Sequence, residues 1–324
     1  MSGGSADISI VLLTFNGEQY LAEVLASIFA QQTKFRYEVI AIDSGSTDRT
    51  LEILSRHPVR IIQIANHEFG HGRTRNLAAQ KSSGSYVVFL TQDAEPANEN
   101  WLDSLIRPLV EDGRVAGSYS RQFPRSDCNP IESRDIGIGA GPLSTVKRLD
   151  HQDALQIQSY ATCLFRFISF SNVSSCIRRD VLDRLPFSEK IPMVEDQEWC
   201  KRAIEAGFWI VYEATSVVYH SHNHSLSMIY QRHFDYGMSL REFASLRLYF
   251  KGVLFYAIYE ALGDVIFISG QRKGALSTCK WIFKAPVIRF VMRYGLYRGL
   301  RDKARAPIVT TKQVMTSPTL SKLR

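Results

Sequence analysis

Polar and acidic side chains follow three short apolar segments of the sequence, and their types suit a phosphorylated ligand. In chain order they are Thr14, Asn16 and Glu18 after the first segment, Asp43 at the end of the second, and Gln92 and Asp93 after the third. Carboxylates are good ligands of Mg²⁺ and Mn²⁺. Arginines such as Arg73 and Arg75, which precede the third segment, pair well with phosphate oxygens. The sequence therefore predicts a site in which a divalent cation and arginines offset the charge of a diphosphate.

The two common glycine-rich phosphate motifs are absent from the sequence. No G-x-G-x-x-G follows the first apolar segment, and no G-x-x-x-x-G-K-[ST] occurs anywhere. This absence argues against a dinucleotide-binding site of the usual kind and against a P-loop. It makes the cation and the arginines the expected means of neutralising a diphosphate.

A second group of acids, Glu195, Asp196 and Glu198, lies in the stretch VEDQEW and offers candidates for a general base. Clustered carboxylates raise one another's pKa toward a value useful in proton transfer. The alternative is that these acids only stabilise the N-terminus of a helix, where negative charge is favourable. The same alternative applies to Asp48, whereas Asp43 ends a strand two residues before the next helix cap and gains nothing from a helix dipole.

Histidines alternate in the stretch HSHNHS, at positions 220, 222 and 224. If the preceding strand continues through them, all three side chains lie on one face. We expect His222 to be a metal ligand, with His220 as the second choice. His224 is expected to be structural or exposed.

Apolar runs alternate with segments of helical periodicity through the first half of the chain. The predicted strands are 8–14, 37–45, 59–64, 86–91 and 115–120, and the predicted helices are 18–31, 47–57, 72–80 and 98–112. Ser46, Thr47 and Asn98 are the expected helix caps. Continuous apolar strands separated by such helices predict parallel βαβ units in an open α/β sheet, whose ligands bind beyond the carboxyl ends of the strands.

The pattern weakens over residues 121–170, which are rich in Gly, Pro, Ser and charged residues and read as a long loop. A helix over 194–207 and strands over 208–213 and 216–220 follow, and a long helical stretch begins near Ser225. We therefore divide the chain into a catalytic region, 1–224, and a helical region, 225–324. The catalytic region divides into halves at about 8–120 and 121–224.

Six stretches occur in the order VLLTFNG, IAIDSGSTDRTLEIL, RTRNLAA, VVFLTQDAEP, MVEDQEWCKRAIEAGF and VYHSHNHS. In this order and spacing they resemble the family 2 glycosyltransferases of GT-A fold. The particular residues of the stretches FGHGRTRNLAA and LTQDA look like those of the rhamnosyltransferase branch of this family. The resemblance covers about residues 8 to 240 and implies a mainly parallel open sheet flanked by helices.

The resemblance also implies a role for each matching residue. It implies a nucleotide-binding loop at Thr14, Phe15, Asn16 and Glu18, in which Phe15 packs against the base, while Asp43 accepts a hydrogen bond from the pyrimidine N–H. It implies that Arg75 reaches the donor and that Gln92 and Trp199 lie beside the substrate. It further implies that Asp93, His222 and His220 bind Mg²⁺ or Mn²⁺ and that Asp196 is the general base. One departure is notable, because Thr91 occupies the place of the first acid of the family's D-x-D motif. Only Asp93 is left in that motif to bind the metal.

The implied reaction is an inverting transfer of a sugar, most simply L-rhamnose from dTDP-L-rhamnose, to a glycan or lipid-linked glycan. A UDP-hexose donor is the first alternative. A non-catalytic scaffold that binds a nucleotide sugar or glycolipid is the second, and Thr91 is its support. The processive-synthase signature Q-x-x-R-W is absent, which favours addition of a single sugar.

Basic residues are concentrated in the last quarter of the chain. The net charge is +7 overall, yet residues 241–324 contain 16 basic and four acidic residues. This imbalance, with many aromatic residues, indicates an anionic surface as partner, such as the membrane. Nucleic acid would also fit the charge, but no recognised nucleic-acid-binding motif accompanies it.

The apolar run 252–270 contains Glu260 and Asp264 near its middle, so a membrane span is not expected there. The following basic and aromatic segment has the composition of an interfacial helix pair, broken at Pro286. The alternative is a solvated basic face that packs on the catalytic region. Five cysteines without a C-x-x-C pair, and an N-terminus without a secretory pattern, indicate a cytoplasmic protein that is peripheral at the inner membrane face. The oligomeric state is left open.

Overall fold

The structure is a computed structural model that describes residues 6–150, 152–244, 246–271 and 274–302. The described chain forms two compact units. The first comprises the residues up to Gln122 together with Ala140–Glu189 and Glu195–His220. The second comprises Phe123–Gly139, Lys190–Val194 and the described residues from Ser221 onward. Residues 303–324 of the predicted basic region lie outside the described residues.

A nine-stranded sheet forms the centre of the first unit, in the order β3-β2-β1-β4-β8-β6-β9-β5, with β7 paired to β9. The strands are β1 (Ile8–Thr14), β2 (Tyr37–Asp43), β3 (Val59–Gln63), β4 (Tyr86–Thr91), β5 (Glu95–Pro96), β6 (Val115–Phe123), β7 (Thr145–Lys147), β8 (Ser174–Arg178) and β9 (Trp209–Tyr219). Strands β1 to β4 pair in parallel, as their apolar runs predict. The sheet is mixed beyond β4, because β8 pairs antiparallel with both β4 and β6.

Helices cover the sheet of the first unit. They are α1 (Leu21–Phe29), α2 (Thr50–Ser55), α3 (His71–Lys81), α4 (Trp101–Glu111), α6 (Ala154–Thr162), α7 (Leu164–Ile168), α8 (Arg179–Arg184) and α9 (Glu195–Glu205), with a 3₁₀ turn at Asn66–Glu68. Leu21, Val24, Leu25 and Ile28 lie on one face of α1 and are fully buried. Their spacing of three and four residues is that of an amphipathic helix, so this face packs on the sheet.

Two details of the predicted elements were wrong. Residues 121–170 are not a long loop, because they contain α5 (Pro130–Gly139), β7, α6 and α7. The helix caps also differ, since α2 begins at Thr50 and α4 at Trp101. Asp48 is nearer to the predicted capping role, because its Oδ1 accepts from the backbone N–H of Thr50 at 3.0 Å.

The second unit is helical, with α5, α10 (Leu226–Phe243), α11 (Phe250–Gly270) and α12 (Ala275–Arg301). Asp264 of α11 is fully buried and accepts two hydrogen bonds of 2.7 Å from Arg289 of α12. Arg289 also bonds Asp135 of α5 at 2.8 Å, and Arg134 reaches Asp264 at 2.9 Å. These charged side chains join three helices through paired groups inside the unit.

Pro286 does not break the basic helix, contrary to the prediction. Helix α12 runs continuously across it from Ala275 to Arg301. A proline inside a helix removes one backbone hydrogen bond and crowds the preceding turn. The neighbouring Ala285 is fully buried and packs in a cluster with Ile131 and Ile268, so tertiary packing holds the helix together on both sides of the proline.

One helix of the described chain, Phe250–Gly270, is long and apolar enough to cross a membrane, with a mean hydropathy of 1.5. Length and composition alone are weak grounds for a span, because the core helix of a soluble protein meets the same criteria.

Candidate active site

The loop after β1 is fixed to the end of β4 by a side-chain amide. Gln92 accepts from the backbone N–H of Phe15 at 2.9 Å and donates to the Phe15 carbonyl at 3.0 Å. Gly17 lies against this amide, so closely that a Cβ at position 17 would be 2.4 Å from Gln92 Oε1. Gln92 therefore holds the predicted nucleotide loop in place, and its polar atoms bind the protein rather than facing outward.

Asp43 fixes the same loop from the other side. The carboxylate is fully buried and accepts four hydrogen bonds. The donors are Thr14 Oγ1 at 3.0 Å, Gly45 N at 3.1 Å, Ser46 N at 3.0 Å and Ser46 Oγ at 2.5 Å. A carboxylate has about four lone-pair sites, so the protein uses all of them. Asp43 thus joins the ends of β1 and β2, and in this geometry a nucleobase N–H would have to displace one of these donors.

Asn16 and Glu18 complete the loop by bonding to the segment after β2. Asn16 has a φ of +47°, a left-handed conformation that asparagine tolerates, and its Oδ1 accepts from the Thr47 N–H at 2.9 Å. Glu18 accepts from both the backbone N–H and the side chain of Arg49, at 3.1 and 3.2 Å. Only 7% of Phe15 is exposed, so little of its ring is available to stack on a base. These residues build the shape of the loop.

Asp93 and His220 come together at the carboxyl end of β4. His220 Nε2 lies 3.6 Å from Asp93 Oδ1. Ligands at about 2.1 Å from one cation lie about 3 Å apart when adjacent and about 4.2 Å apart when opposite. The observed distance falls between these limits, so both groups can bind a single cation after a small adjustment.

The hydrogen bonds behind His220 favour metal binding. Its Nδ1 lies 3.2 Å from Gln122 Oε1, and the Gln122 amide nitrogen donates to Ser171 Oγ at 3.1 Å. An amide held this way presents its oxygen to the imidazole, which assigns the ring proton to Nδ1. Nε2 then directs a lone pair toward Asp93 Oδ1. This is the arrangement in which a second residue orients a metal-binding histidine.

The remaining predicted metal ligand, His222, belongs to the second unit. Its ring stacks on that of His224 with centroids 4.6 Å apart, and its carbonyl accepts from Asn129. It follows His220 by two residues. The Thr91 hydroxyl is buried and has no hydrogen-bond partner among the described residues, so the position of the missing acid is occupied by a neutral oxygen.

Arg75 is buried, with only 6% exposed, and its Nη1 lies 2.5 Å from Glu195 Oε1. His71 Nδ1 lies 3.4 Å from the same nitrogen. The guanidinium pairs with Glu195 inside the protein, and the contact of Arg75 with the donor stays a prediction. Arg73, two residues earlier, is exposed.

Asp196 is partly buried at the start of α9. Its Oδ2 accepts from the backbone N–H of Asn172 at 3.0 Å, and its Oδ1 accepts from the Gln197 N–H at 2.8 Å. Burial and then the negative charge of Glu195 raise the pKa of Asp196 to about 7, against the lowering effect of these hydrogen bonds. A carboxyl group that titrates near neutral pH is well matched to removing a proton from a hydroxyl.

Glu195, by contrast, stays ionised. Burial on its own raises the pKa of Glu195, but the charges of Arg75 and His71 and a hydrogen bond of 3.2 Å from Asn172 Nδ2 leave it below its usual value. Two neighbouring acids therefore have opposite pKa shifts. Environments that separate two such pKa values often distinguish a proton-transferring acid from a permanently charged one.

The third acid of this group and the adjacent tryptophan have structural roles. Glu198 pairs with Arg202 one helical turn later, with Nε 2.6 Å from Oε1. Trp199 is fully buried and donates to the Leu185 carbonyl at 2.8 Å. The side chain has no exposed surface in this structure, and its predicted contact with the substrate stays a prediction.

The backbone before Glu195 is strained, since Val194 has a φ of +56°. A β-branched residue rarely adopts this conformation, and such strain costs about 1–3 kcal/mol. Strained residues of this kind cluster at functional sites. This one sets the direction in which the chain enters α9 and thus the position of its first two acids.

Asp93 and the acids Glu195 and Asp196 lie toward the same end of strands β4 and β8, because these two strands are adjacent. Leu90 pairs with Ser174, and the Thr91 N–H donates to the Val173 carbonyl at 3.0 Å. Asp93 follows β4 by two residues, and Asn172, which holds both acids, precedes β8 by two. The residues predicted from VVFLTQDA and VEDQEW therefore share one end of this strand pair.

Three residues of the site, Asn172, Gln122 and His71, do not stand out in the sequence. Each acts by bonding a residue that does, namely Asp196, His220 and Arg75 respectively. The one available signal was Asn172, a polar residue in the turn immediately before a strand. Its partners lie 23 and 24 residues further along the chain, a distance that no local pattern spans.

The sheet, its covering helices and the site at its edge define a GT-A fold, the architecture of nucleotide-sugar transferases. The structure is similar to that of the mannosyltransferase PcManGT from Pyrobaculum calidifontis, solved with GDP-Man and Mn²⁺. The TM-score is 0.56 at 16% identity, over 93% of this chain and 89% of that one.

The chain belongs to glycosyl transferase family 2, whose sequence profile matches residues 9–173. Among curated relatives, it is 36% identical to the O-antigen chain rhamnosyltransferase WbaN of Salmonella anatum and 32% identical to the O-antigen chain rhamnosyltransferase RfbN of Salmonella typhimurium. These matches cover 65% and 71% of this chain. They span 64% of the length of WbaN and 71% of that of RfbN.

Proposed function

We propose that the protein is an inverting, metal-dependent transferase that moves L-rhamnose from dTDP-L-rhamnose to a glycan or lipid-linked glycan. The observation that carries the proposal is the pairing of Asp196, with its pKa of about 7, and the Asp93–His220 pair at one end of adjacent strands. One group is suited to activate an acceptor hydroxyl and the other to bind a cation beside a diphosphate.

Asp196 acts as the general base. It removes the proton of the acceptor hydroxyl as the oxygen attacks the anomeric carbon, and a single displacement inverts the configuration there. Asn172 and Gln197 hold the carboxylate through backbone N–H groups, and Glu195 keeps its proton affinity high. Arg75 maintains the charge of Glu195 and so acts on the reaction through that residue.

Asp93 and His220 would hold Mg²⁺ or Mn²⁺, and His222 is the further ligand that the sequence predicts. The cation, when bound, acts as a Lewis acid that stabilises negative charge on the departing diphosphate. Gln122 orients His220 for this role. With threonine at position 91, the protein provides a single carboxylate in this motif, so the diphosphate itself is expected to complete the coordination.

The loop built by Phe15, Asn16 and Glu18 shapes the nucleotide pocket, with Gln92 and Asp43 fixing it on both sides. In this arrangement its exposed backbone, rather than buried side chains, is the part that faces the nucleotide. The names of the two Salmonella relatives support rhamnose as the transferred sugar and an O-antigen type of glycan as the product. We place the enzyme in the cytoplasm at the inner face of the membrane.

A panel of nucleotide sugars tests the donor. The purified protein with Mn²⁺ or Mg²⁺ is expected to release nucleoside diphosphate from dTDP-L-rhamnose faster than from UDP-hexoses or GDP-mannose. Faster turnover of a UDP-hexose would reject rhamnose as the donor sugar while supporting transferase activity.

Asp196→Asn tests catalysis itself, because full activity of this variant in cells would show that the protein acts as a non-catalytic scaffold.

A further inference from the structure

Helix α11 presents an unusual surface, because its large apolar side chains point outward. Six of them are between 43% and 75% exposed, namely Leu254, Phe255, Ile258, Tyr259, Leu262 and Ile266. Their spacing of one, three and four residues places them on one face of the helix. An exposed apolar stripe of this length is rare on a monomeric soluble protein and marks an interaction surface.

The inward face of α11 has the opposite character. Its buried residues are Val253, Ala257, Ala261, Asp264 and Ile268, and the half-buried Glu260 lies beside them. Asp264 is bonded by Arg289, and Glu260 by Arg293 at 2.9 Å. The helix thus turns its acids and small residues to the protein and its large apolar residues to the outside, the reverse of a helix on a soluble core.

The charges around this face are of one sign. In the described segments 246–271 and 274–301, every exposed charged side chain is basic. These side chains are Arg247, Lys251, Lys280, Lys284, Arg298 and Arg301. The two acids in these segments, Glu260 and Asp264, are paired with arginines inside the unit. The surface therefore complements an anionic partner.

Helix α12 also exposes apolar side chains, Phe283 at 79% and Val287 at 50%, and both line a cavity of about 890 Å³ together with Lys280 and Lys284. Tyr256 of α11 is 46% exposed, and Tyr249, which immediately precedes that helix, is 59% exposed. Tyrosine and lysine side chains beside apolar residues suit the boundary between lipid headgroups and acyl chains, where each side chain keeps its polar end in water.

We propose that the outward face of α11 docks in the plane of an anionic phospholipid bilayer while the exposed Arg247 and Lys251, at the start of that helix, contact its headgroups. The inference locates the membrane contact that the proposed function needs for a lipid-linked acceptor. A second copy of the chain is disfavoured as occupant, because two such faces would bring like charges together. A membrane span is disfavoured because the inner face of α11 is already joined to α12 and α5 by ion pairs.

Vesicle flotation of the full chain tests the surface. One set of vesicles contains phosphatidylcholine alone, and the other adds phosphatidylglycerol. The wild type is expected to float with the anionic vesicles, and Arg247→Gln/Lys251→Gln to bind them roughly 10- to 30-fold more weakly. Ile258→Ser/Leu262→Ser is expected to lose most binding. Matched controls in the first unit, Leu155→Ser and Lys34→Gln/Lys81→Gln, are expected to bind as the wild type does.

Three results would overturn the inference. The first is equal binding by the wild type and both surface variants. The second is a concentration-dependent dimer that Ile258→Ser/Leu262→Ser abolishes, which would make this face a contact between copies. The third is resistance to extraction at alkaline pH, which would indicate a span. Donor hydrolysis, measured without vesicles, is expected to be equal in all variants, so failure of the proposed function would be seen separately.

Discussion

Replacing Glu195 by glutamine is expected to move the pH dependence of the enzyme to lower pH. In the wild type, activity is expected to rise with pH through a value of about 7, because only the deprotonated Asp196 accepts a proton. The negative charge of Glu195 is, after burial, the largest cause of that raised pKa. The amide keeps the shape of the side chain and removes the charge, so the pKa of Asp196 falls.

The size of the effect follows from the way Asn172 bridges the two carboxyl groups, with contacts of 3.0 and 3.2 Å. A separation on the order of 7 Å and an effective dielectric constant of about 20 give an interaction of about 2.4 kcal/mol, or about 1.7 pH units. We expect the inflection of the pH–rate profile to fall by roughly 1 to 2 units, since solvent at the half-buried Asp196 weakens the interaction.

The assay is kcat/KM for nucleoside diphosphate release, measured on both sides of neutral pH. Glu198→Gln is the matched control, because Glu198 lies in the same helical turn but pairs with Arg202, and its profile is expected to be unchanged. An unshifted inflection in folded Glu195→Gln would refute the assignment of Asp196 as the base whose pKa Glu195 raises.

If Glu195→Gln fails to fold, a second variant can still test whether Glu195 raises the pKa of Asp196. Glu195→Gln leaves Arg75 buried beside an amide, which could unfold the protein, since an unpaired buried charge costs about 3–5 kcal/mol. The double variant Arg75→Met/Glu195→Leu removes both charges. Because Glu195 raises the pKa of Asp196 more than Arg75 lowers it, its inflection is also expected to fall, by a smaller amount.

Four further predictions follow from the structure. Folded Asp196 keeps its proton up to about pH 7, whereas the unfolded group loses it near 3.8, so stability falls as pH rises between these values. Asp196→Asn is therefore expected to raise the unfolding free energy at pH 8 by about 2 kcal/mol in chemical denaturation. His220→Ala is expected to raise the Mn²⁺ concentration for half-maximal donor hydrolysis at least about 10-fold; an unchanged value would remove it from the metal site. Gly17→Ala is expected to lower the affinity for the nucleoside diphosphate in calorimetry, because its Cβ meets Gln92 Oε1. Asp264→Ala is expected to cost about 3–5 kcal/mol of stability in thermal unfolding by leaving Arg289 under-paired, against less than about 0.5 for Glu242→Gln at the surface.

The first four strands were predictable because each is an apolar run that ends at a polar turn. Most residues of β1, β2 and β4 are buried, whereas the edge strand β3 has no buried residue. The βαβ connections make the four strands parallel, which brings their carboxyl ends to one edge. The residues after β1, β2 and β4 could therefore be grouped from sequence alone. The role of each residue could not be predicted, because the sequence does not show that the polar atoms of Asp43 and Gln92 form hydrogen bonds within the loop itself.

The segment 121–170 was misread because its helices depend on distant partners. Helix α5 has a weak amphipathic pattern, yet Ile131 packs with Ile268 and Ala285. Arg134 and Asp135 of the same helix pair with Asp264 and Arg289, more than 120 residues away. Tertiary contacts of this kind override local propensity, which is only a weak guide to structure.

Arg75 illustrates the same limit at the site. Its sequence neighbours suggest a cation near the strand ends, and the structure places it there, but facing inward to a carboxylate 120 residues away. The glycine at position 72, on the same face of α3, is consistent with this inward orientation of Arg75. A Cβ at Gly72 would lie 2.1 Å from the Ser188 carbonyl oxygen. This face of α3 approaches other backbone closely and is not open to a ligand.

The pairing of β4 with β8 determines how far apart two parts of the proposed site lie, the part that binds the diphosphate and the part that holds the base. Asp93 leaves one strand and Asn172 enters its neighbour, and Leu90 opposite Ser174 sets their offset. Adjacent strands lie about 4.8 Å apart, and a shift of one residue turns every side chain to the other face. In the proposed reaction, this strand pairing would set the spacing between the leaving group and the base. Loops around it can change to admit other sugars and acceptors while that spacing is retained.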